Sequence, residues 1–90
     1  MTTKYDEAYE ITVMMAKVKM SMNKHKGDIE NKDPKLVIEM AKIELDELAV
    51  AIERGDYINI IEEVADVLNF SIAASYMAIK AYKEKRNVKN

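Results

Sequence analysis

Cysteine is absent from this chain of 90 residues, and glycine, proline and histidine occur only two, one and one times. Without thiols the chain has no disulfide framework, no zinc-thiolate site and no cysteine nucleophile, and we expect a cytoplasmic location. The single histidine, His25, has no serine or threonine at a motif-like spacing, so nucleophilic catalysis by a side chain lacks a candidate. The scarcity of turn-forming residues favours long helices.

Long uncharged runs are also missing. The longest covers residues 67–79, which is shorter than the ~20 apolar residues of a membrane-spanning helix. Residues 1–6 are polar and charged, unlike a secretory signal. The net charge of −2 gives no electrostatic sign of nucleic-acid binding. With 49% hydrophobic and 33% charged residues, we expect one small domain over residues 1–90, without a membrane or nucleic-acid partner.

Apolar residues recur with the helical period in three segments. They predict an all-α fold with helices over about residues 4–22, 34–54 and 57–85, and a polar loop at 23–33. The first helix carries two adjacent apolar stripes, Ala8-Ile11-Met15-Val18-Met22 and Tyr9-Val13-Ala16-Met20. Two stripes on one helix predict contacts with more than one neighbour.

Capping signals mark both ends of the second helix. Asp33 followed by Pro34 is typical of an N-cap with proline at the first helical position. Arg54 and Gly55 indicate the C-terminal end, and Asp56 can cap the third helix immediately afterwards. So short a connection favours antiparallel packing of the two helices.

The third helix is apolar over most of its circumference between residues 64 and 82. A helix of this kind has to be covered on nearly all sides, and two other helices from so short a chain are too few to cover it. We therefore expect a homodimer or homotetramer that buries Phe70, Ile72, Met77, Ile79 and their neighbours.

Four acidic residues form two pairs that are mirrored about Gly55. Glu44 and Glu47 lie eleven and eight residues before it, and Glu63 and Asp66 lie eight and eleven residues after it. In an antiparallel hairpin, a rise of ~1.5 Å per residue places Glu47 level with Glu63. Glu44 then comes level with Asp66, one turn further from the bend. Residues three apart share a helix face, so the four carboxylates are predicted to converge on a metal ion that neutralises them.

The ligand set indicates which metal this site would take. Carboxylate oxygens suit Mg²⁺, with Mn²⁺ as the alternative. Zinc is disfavoured because thiols are absent, and a di-iron site needs Glu-x-x-His pairs, whereas His25 stands alone in the loop. Glu44 falls within the apolar stripe of the second helix, so its carboxylate is expected to be partly desolvated; the alternative is a wet boundary of a wider stripe.

Two stretches, IELDELAVAI at 43–52 and IEEVADVL at 61–68, are joined across Gly55-Asp56. Together they resemble the signature of the MazG-like all-α nucleoside triphosphate pyrophosphohydrolases. Members of that superfamily carry Glu-x-x-Glu on one helix and Glu-x-x-Asp on the next. The resemblance covers about residues 36–74, and NKHKG at 23–27 also resembles a segment of small phage-type members.

The resemblance implies a Mg²⁺-dependent hydrolase that splits a nucleoside triphosphate between its α and β phosphates, giving the monophosphate and pyrophosphate. It implies a dimer or tetramer with a four-helix core. It also implies that the four paired carboxylates hold one or more Mg²⁺ ions on the phosphate chain, and that Glu47 takes a proton from the attacking water.

Phosphate contacts would have to come from other side chains. The candidate substrate-binding residues are Lys24, His25, Lys26, Asn69, Lys83 and Arg86. Larger members of the superfamily carry a longer basic stretch after the corresponding helix. The alternatives are a solvated, dipole-compensating helix end at residues 83–86, a plain surface loop around His25, and a buried polar contact at Asn69.

Two other functions remain open at this stage. A phosphoribosyl-ATP pyrophosphatase-like enzyme would use related motifs on a similar scaffold. A non-catalytic helical oligomerisation or regulatory protein would bind a structural cation, or none, at the acidic cluster. The small size and the short basic tail favour the second of these.

Overall fold

The computed structural model of the chain describes residues 3–22 and 33–88. Within these ranges the chain is all-α, with α1 (Asp6–Met22), α2 (Pro34–Arg54), α3 (Tyr57–Val88) and no strand. α2 has the bounds expected from the sequence, whereas α1 begins two residues later and α3 ends three residues later than expected. Residues 23–32, most of the predicted polar loop, lie outside the described residues. None of the three described helices combines the length and apolar character needed to cross a membrane.

A side-chain cap fixes the start of α2, and a hydrogen-bonded turn precedes α1. Asp33 accepts a hydrogen bond from the backbone N–H of Lys35 at 2.8 Å, as the predicted N-cap should. Ahead of α1, the Thr3 hydroxyl accepts from the N–H of Tyr5 at 3.2 Å, and the Asp6 carboxylate accepts from the N–H of Thr3 at 2.9 Å. These bonds close a polar turn immediately ahead of α1.

The turn between α2 and α3 consists of Gly55 and Asp56. Gly55 has a φ of 65°, in the left-handed region. Its N–H donates to the carbonyl of Ile52 at 3.1 Å, and the N–H of Asp56 donates to the carbonyl of Ala51 at 3.3 Å, which is a Schellman motif. The carboxylate of Asp56 then accepts from the N–H of Asn59 at 3.2 Å and caps α3. The chain therefore reverses with almost no intervening loop.

α3 is the central helix, because α1 and α2 both pack on it and, within the described residues, have little contact with each other. Lys19 is bonded to Asp66, and Ala16 to Asn69, so positions rise along α1 as they fall along α3 and the two helices are antiparallel. At a rise of ~1.5 Å per residue, α3 is about 48 Å long and α2 about 31 Å. The C-terminal turns of α3 extend past α2, and residues 80–87 are exposed.

The core of the single chain is small. The fully buried apolar side chains among the described residues are Ala16, Val37, Ala51, Ala65 and Ala73. Four of these five are alanines, so the helices approach closely but remove little apolar surface from water. Large apolar side chains stay exposed on all three helices, among them Ile72 at 53% and Ile79 at 54%.

α1 packs on α3 through a narrow face between its two predicted stripes. The least exposed residues beyond its first turn are Thr12, Met15, Ala16 and Lys19. Ile11 and Val18 of the first stripe and Val13 and Met20 of the second are exposed. Within the described residues of one chain α1 packs chiefly on α3, and the expected contact with more than one neighbour stays a prediction.

Replacing Gly55 with alanine tests the turn. We expect Gly55→Ala to lower the free energy of unfolding by about 1 to 2 kcal/mol, because the left-handed conformation costs an L-residue that much. An added Cβ would meet no atom within 4 Å, so the loss would come from the backbone alone. Urea denaturation measures it. Gly55→Asn, with a residue that tolerates this conformation, should lose less; an alanine variant as stable as the wild type would contradict the argument.

Candidate metal centre

α2 carries Glu44 in the middle of its buried face. Val37 and Ala51, seven residues before and after Glu44, are the fully buried apolar residues of this helix. Seven residues make about two helical turns, so the three side chains lie on one stripe. Glu44 is half-buried, and its carboxylate enters the contact between α2 and α3, as expected from the sequence.

α3 supplies two further carboxylates. Glu63 and Asp66, three residues apart on one helix, flank Ala65, which is fully buried. One carboxylate oxygen each from Glu44, Glu63 and Asp66 lies within 4.8 Å of the other two. The predicted convergence across the hairpin is confirmed for these three residues.

Burial and like charge dominate the electrostatics of the cluster. Burial is the largest cause that raises the pKa of Glu44, followed by the facing carboxyl of Glu63 and the charges of Asp66 and Glu47, and together they bring it from 4.5 to about 8. Burial also raises the pKa of Glu63; the facing carboxyl of Glu44 opposes this rise, and the charges of Glu47 and Asp66 add to it. The metal-free cluster therefore retains a proton near neutral pH.

Two carboxylate oxygens at the centre have no hydrogen-bond partner. Among the described residues, Glu44 Oε2 and Glu63 Oε2 are the buried side-chain oxygens left without one. Buried polar atoms are normally bonded, and oxygens of this kind are the ligands that hard divalent cations prefer. The donor set therefore fits a metal of the Mg²⁺ class.

Glu47, the fourth predicted ligand, lies at the rim of the cluster. It is exposed, and it is not among the residues whose oxygens converge within 4.8 Å. Its carboxylate is nevertheless near enough to act on Glu44 and Glu63 through its charge. Its roles as a ligand and as the proton acceptor stay predictions.

α1 brings a lysine to the cluster that the sequence analysis did not single out. Lys19 Nζ lies 2.9 Å from Asp66 Oδ2 and 3.5 Å from the backbone carbonyl oxygen of Glu62. The two side chains of the ion pair are 23% and 20% exposed. Burial by itself lowers the pKa of Lys19, but the bond to Asp66 and the charges of Asp66, Glu62 and Glu63 raise it overall. The side chain is therefore an ammonium ion.

Asn69 makes a structural contact beside this ion pair. Its amide nitrogen donates to the backbone carbonyl of Ala16 at 2.9 Å, which ties α3 to α1. The small side chain of Ala16, only 4% exposed, lets the two helices come this close. The polar contact considered as an alternative is thus present within the chain, and the substrate role stays a prediction.

The basic candidates on α3 are not brought to the cluster of the same chain. Lys83 and Arg86 are exposed and lie seventeen and twenty residues beyond Asp66 on α3, which is about 26 and 30 Å along the helix. Arg86 lies over the ring of Tyr82, 5.8 Å from its centroid. No side chain reaches across such a distance. The loop candidates at positions 24–26 lie outside the described residues.

Comparisons with protein-family models, with curated proteins and with solved structures found no match for this chain. The class that fold and site define is therefore a coarse one: an all-α protein with three carboxylates from two helices that can hold a metal ion. The resemblance to MazG-like proteins stays an expectation from the sequence motifs.

In chelator-containing, metal-free buffer, the free energy of unfolding should fall as the pH rises from 4.5 towards about 8. The Glu44 carboxyl holds its proton more tightly in the folded chain than in the unfolded chain. Its contribution to stability is therefore complete at pH values below the unfolded pKa, and it is lost as the pH rises through the folded pKa. Denaturant titrations at a series of pH values measure this. Glu44→Gln should remove most of the slope, and Glu53→Gln, an exposed glutamate on the same helix, should not. A Glu44→Gln variant with the wild-type slope would place the titrating group elsewhere.

Proposed function

We propose that this chain is a Mg²⁺-dependent nucleoside triphosphate pyrophosphohydrolase of the MazG-like type, which converts a ribo- or deoxyribonucleoside triphosphate to the monophosphate and pyrophosphate. The observation that carries the proposal is the convergence of Glu44, Glu63 and Asp66 across an antiparallel hairpin. These residues belong to the Glu-x-x-Glu and Glu-x-x-Asp pairs that resemble the superfamily signature, and the all-α fold agrees with it.

The carboxylates would divide the work at the site. Glu44, Glu63 and Asp66 would hold Mg²⁺, or Mn²⁺ in its place, because their oxygens converge and two of them are buried without a partner. A bound ion of this kind supplies Lewis acidity and a template for in-line displacement. The helices hold the carboxylates in position before substrate arrives.

Glu47 is the proposed proton acceptor, because it lies at the rim of the cluster and is open to solvent. A general base has to lie within hydrogen-bond reach of the water that it deprotonates. The water oxygen forms a bond to the α-phosphorus as the bond from that phosphorus to the bridging oxygen breaks. Pyrophosphate leaves with the electron pair of that bond, and Glu47 takes the proton.

Phosphate binding requires positive charge near the cluster. In the described part of one chain, Lys19 is the basic side chain that lies there. Lys24, His25 and Lys26 are the candidates in the same chain. Lys83 and Arg86 lie about 26 and 30 Å from Asp66 along α3, so they would bind a triphosphate only at the cluster of a neighbouring copy.

Self-association to a homodimer or homotetramer is part of the proposal. The chain has an accessible surface of 7424 Å², whereas a compact monomer of this mass has roughly 5,400 Å². Two chains would carry twice that excess, roughly 4,000 Å², which lies within the ~2,000 to 5,000 Å² that obligate dimers bury in total. Ile72, Tyr76 and Ile79 lie on one face of α3 and are each about half exposed, so a second copy is the proposed cover. Phe70 and Met77, also expected at the interface, are only partly exposed.

A non-catalytic oligomerisation or regulatory protein is the second candidate, and the exposed apolar surface is the observation that favours it. Its acidic cluster would take up a structural cation. Metal binding alone therefore does not separate the two candidates, whereas turnover does. A phosphoribosyl-ATP pyrophosphatase-like activity is the enzymatic alternative on related motifs.

Turnover tests the enzyme directly. With Mg²⁺ and a panel of ribo- and deoxyribonucleoside triphosphates, and phosphoribosyl-ATP alongside, the wild type should release pyrophosphate and monophosphate in equal amounts. Glu44→Gln and Asp66→Asn should lower kcat/KM by about two orders of magnitude, the scale on which charge-stabilising groups act. Asp46→Asn, an exposed acid on α2, should keep wild-type activity. A folded, associated protein that turns over no member of the panel would contradict the proposal.

Association is tested on the exposed face of α3. In sedimentation or light scattering the wild type should exceed the 10.3 kDa of one chain. Ile72→Asp and Ile79→Asp should each dissociate it, because burying an unpaired carboxylate is strongly unfavourable. Ala49→Asp, at an exposed position of α2, should not. A monomeric wild type would contradict self-association, and aspartate variants of unchanged mass would place the interface elsewhere.

A further inference from the structure

Lys19 connects α1 to the carboxylates of the hairpin. Of the ion pairs within residues 3–22 and 33–88, Lys19 with Asp66 is the one that joins two helices, since Lys42 with Glu39 lies within α2. Its ammonium is 2.9 Å from Asp66 Oδ2 and is further fixed by the carbonyl oxygen of Glu62. One of the three convergent carboxylates is therefore already paired with a positive charge from the chain itself.

A metal ion bound by the three carboxylates would be repelled by the ammonium of Lys19 at its present position. Asp66 has a carboxylate oxygen within 4.8 Å of those of Glu44 and Glu63, so an ion held by all three would lie a few ångströms from Lys19 Nζ. Positive charges at such separations repel strongly in a partly desolvated site. Lys19 has a flexible four-carbon stem and is the partner that can move away.

We infer that Lys19 is a tethered counter-ion, which neutralises Asp66 in the metal-free protein and is displaced when a divalent cation binds. The inference rests on the proposed function only for the cation site. Lys19 is a positioning residue in this role, since it acts through Asp66. Metal loading and the attachment of α1 to α3 oppose each other, and the bond from Asn69 to Ala16 remains as the second tie between these helices.

Mg²⁺ and Mn²⁺ titrations by calorimetry, on the full chain and without nucleotide, test this inference. Lys19→Met should bind either metal on the order of tenfold more tightly than the wild type, because a competing charge is gone. Lys17→Met, which removes an exposed lysine from the same helix, should bind like the wild type. Lys19→Arg, which keeps the charge, should bind no more tightly. Equal affinity for Lys19→Met and wild type would overturn the inference, and so would weaker binding, which would mean that Lys19 orients Asp66 for the metal.

Stability and hydrogen exchange give readouts that do not depend on activity. In chelator the Lys19→Met variant should melt below the wild type, because its ion pair with Asp66 is lost. The same concentration of Mg²⁺ should then raise its Tm by more, since stabilisation by a ligand grows with the logarithm of its affinity. If Lys19→Met fails to fold, hydrogen exchange of the wild type tests the inference instead. Adding metal should then speed amide exchange in the last turn of α1, because Lys19 is released there. Slower exchange there would overturn the inference.

The two proposals fail in different ways. A wild type that binds metal, with the expected Lys19→Met response but no turnover, would refute the enzyme and support the counter-ion. A wild type that turns over nucleotide, with Lys19→Met binding metal unchanged, would refute the counter-ion alone. If neither the wild type nor Lys19→Met binds Mg²⁺ or Mn²⁺, the counter-ion inference and the metal site are both overturned.

Discussion

The contact between α2 and α3 places Glu44 and Glu63 close together, each with one buried oxygen that lacks a hydrogen-bond partner. Desolvation and like charge oppose this arrangement, and the buried residues Val37 and Ala51 hold α2 in place on either side of it. The metal-free chain relieves the repulsion with a proton, for which Glu44 has a pKa of about 8, and with the ammonium of Lys19. A divalent cation at the cluster would replace both.

The register of the hairpin decides whether the carboxylates meet. A slip of one residue along α2 would shift its acid pair by ~1.5 Å and turn it by ~100°, which would point Glu44 away from α3. Gly55 and Asp56 are the whole of the connection, and their hydrogen bonds leave little freedom for such a slip. The left-handed glycine therefore matters for the candidate site as well as for the fold, although it lies eight residues from the nearest member, Glu47 or Glu63.

Local chemistry was sufficient to predict α2 and the hairpin. Asp33 and Gly55 each carry their structural signal in their own residue type and immediate neighbours, and counting outwards from the bend then predicted which acids converge. The helices of a short hairpin must be antiparallel neighbours. The helical rise was therefore almost the only further information needed to predict which acids face each other. Counting residues was not sufficient for Glu47. The position of this side chain at the rim of the cluster depends on side-chain packing, which the residue count does not resolve.

The placement of α1 could not be predicted in the same way. Residues 23–32 separate α1 from the hairpin, and its two apolar stripes gave no preferred face for packing on α3. Lys19 was missed for that reason, because its role depends on the tertiary position of its helix. A signal does exist in the sequence: of its four neighbours three and four positions away, Met15, Ala16 and Met22 are apolar and Asn23 is polar. A charge with such neighbours is expected to need a partner across a helix contact.

The small core links folding, assembly and cation binding. Alanines at the helix contacts let Asn69 reach the carbonyl of Ala16, but they bury little apolar surface, and Val37 is the largest fully buried side chain in the described residues. Anything that binds the folded state alone adds to its stability by mass action. On the proposed function, a second copy over Ile72 and Ile79 and a cation between α2 and α3 both act in this way. The metal-free single chain is then the least stable form, and on the counter-ion inference the stabilisation by metal should grow once Lys19 no longer competes for Asp66.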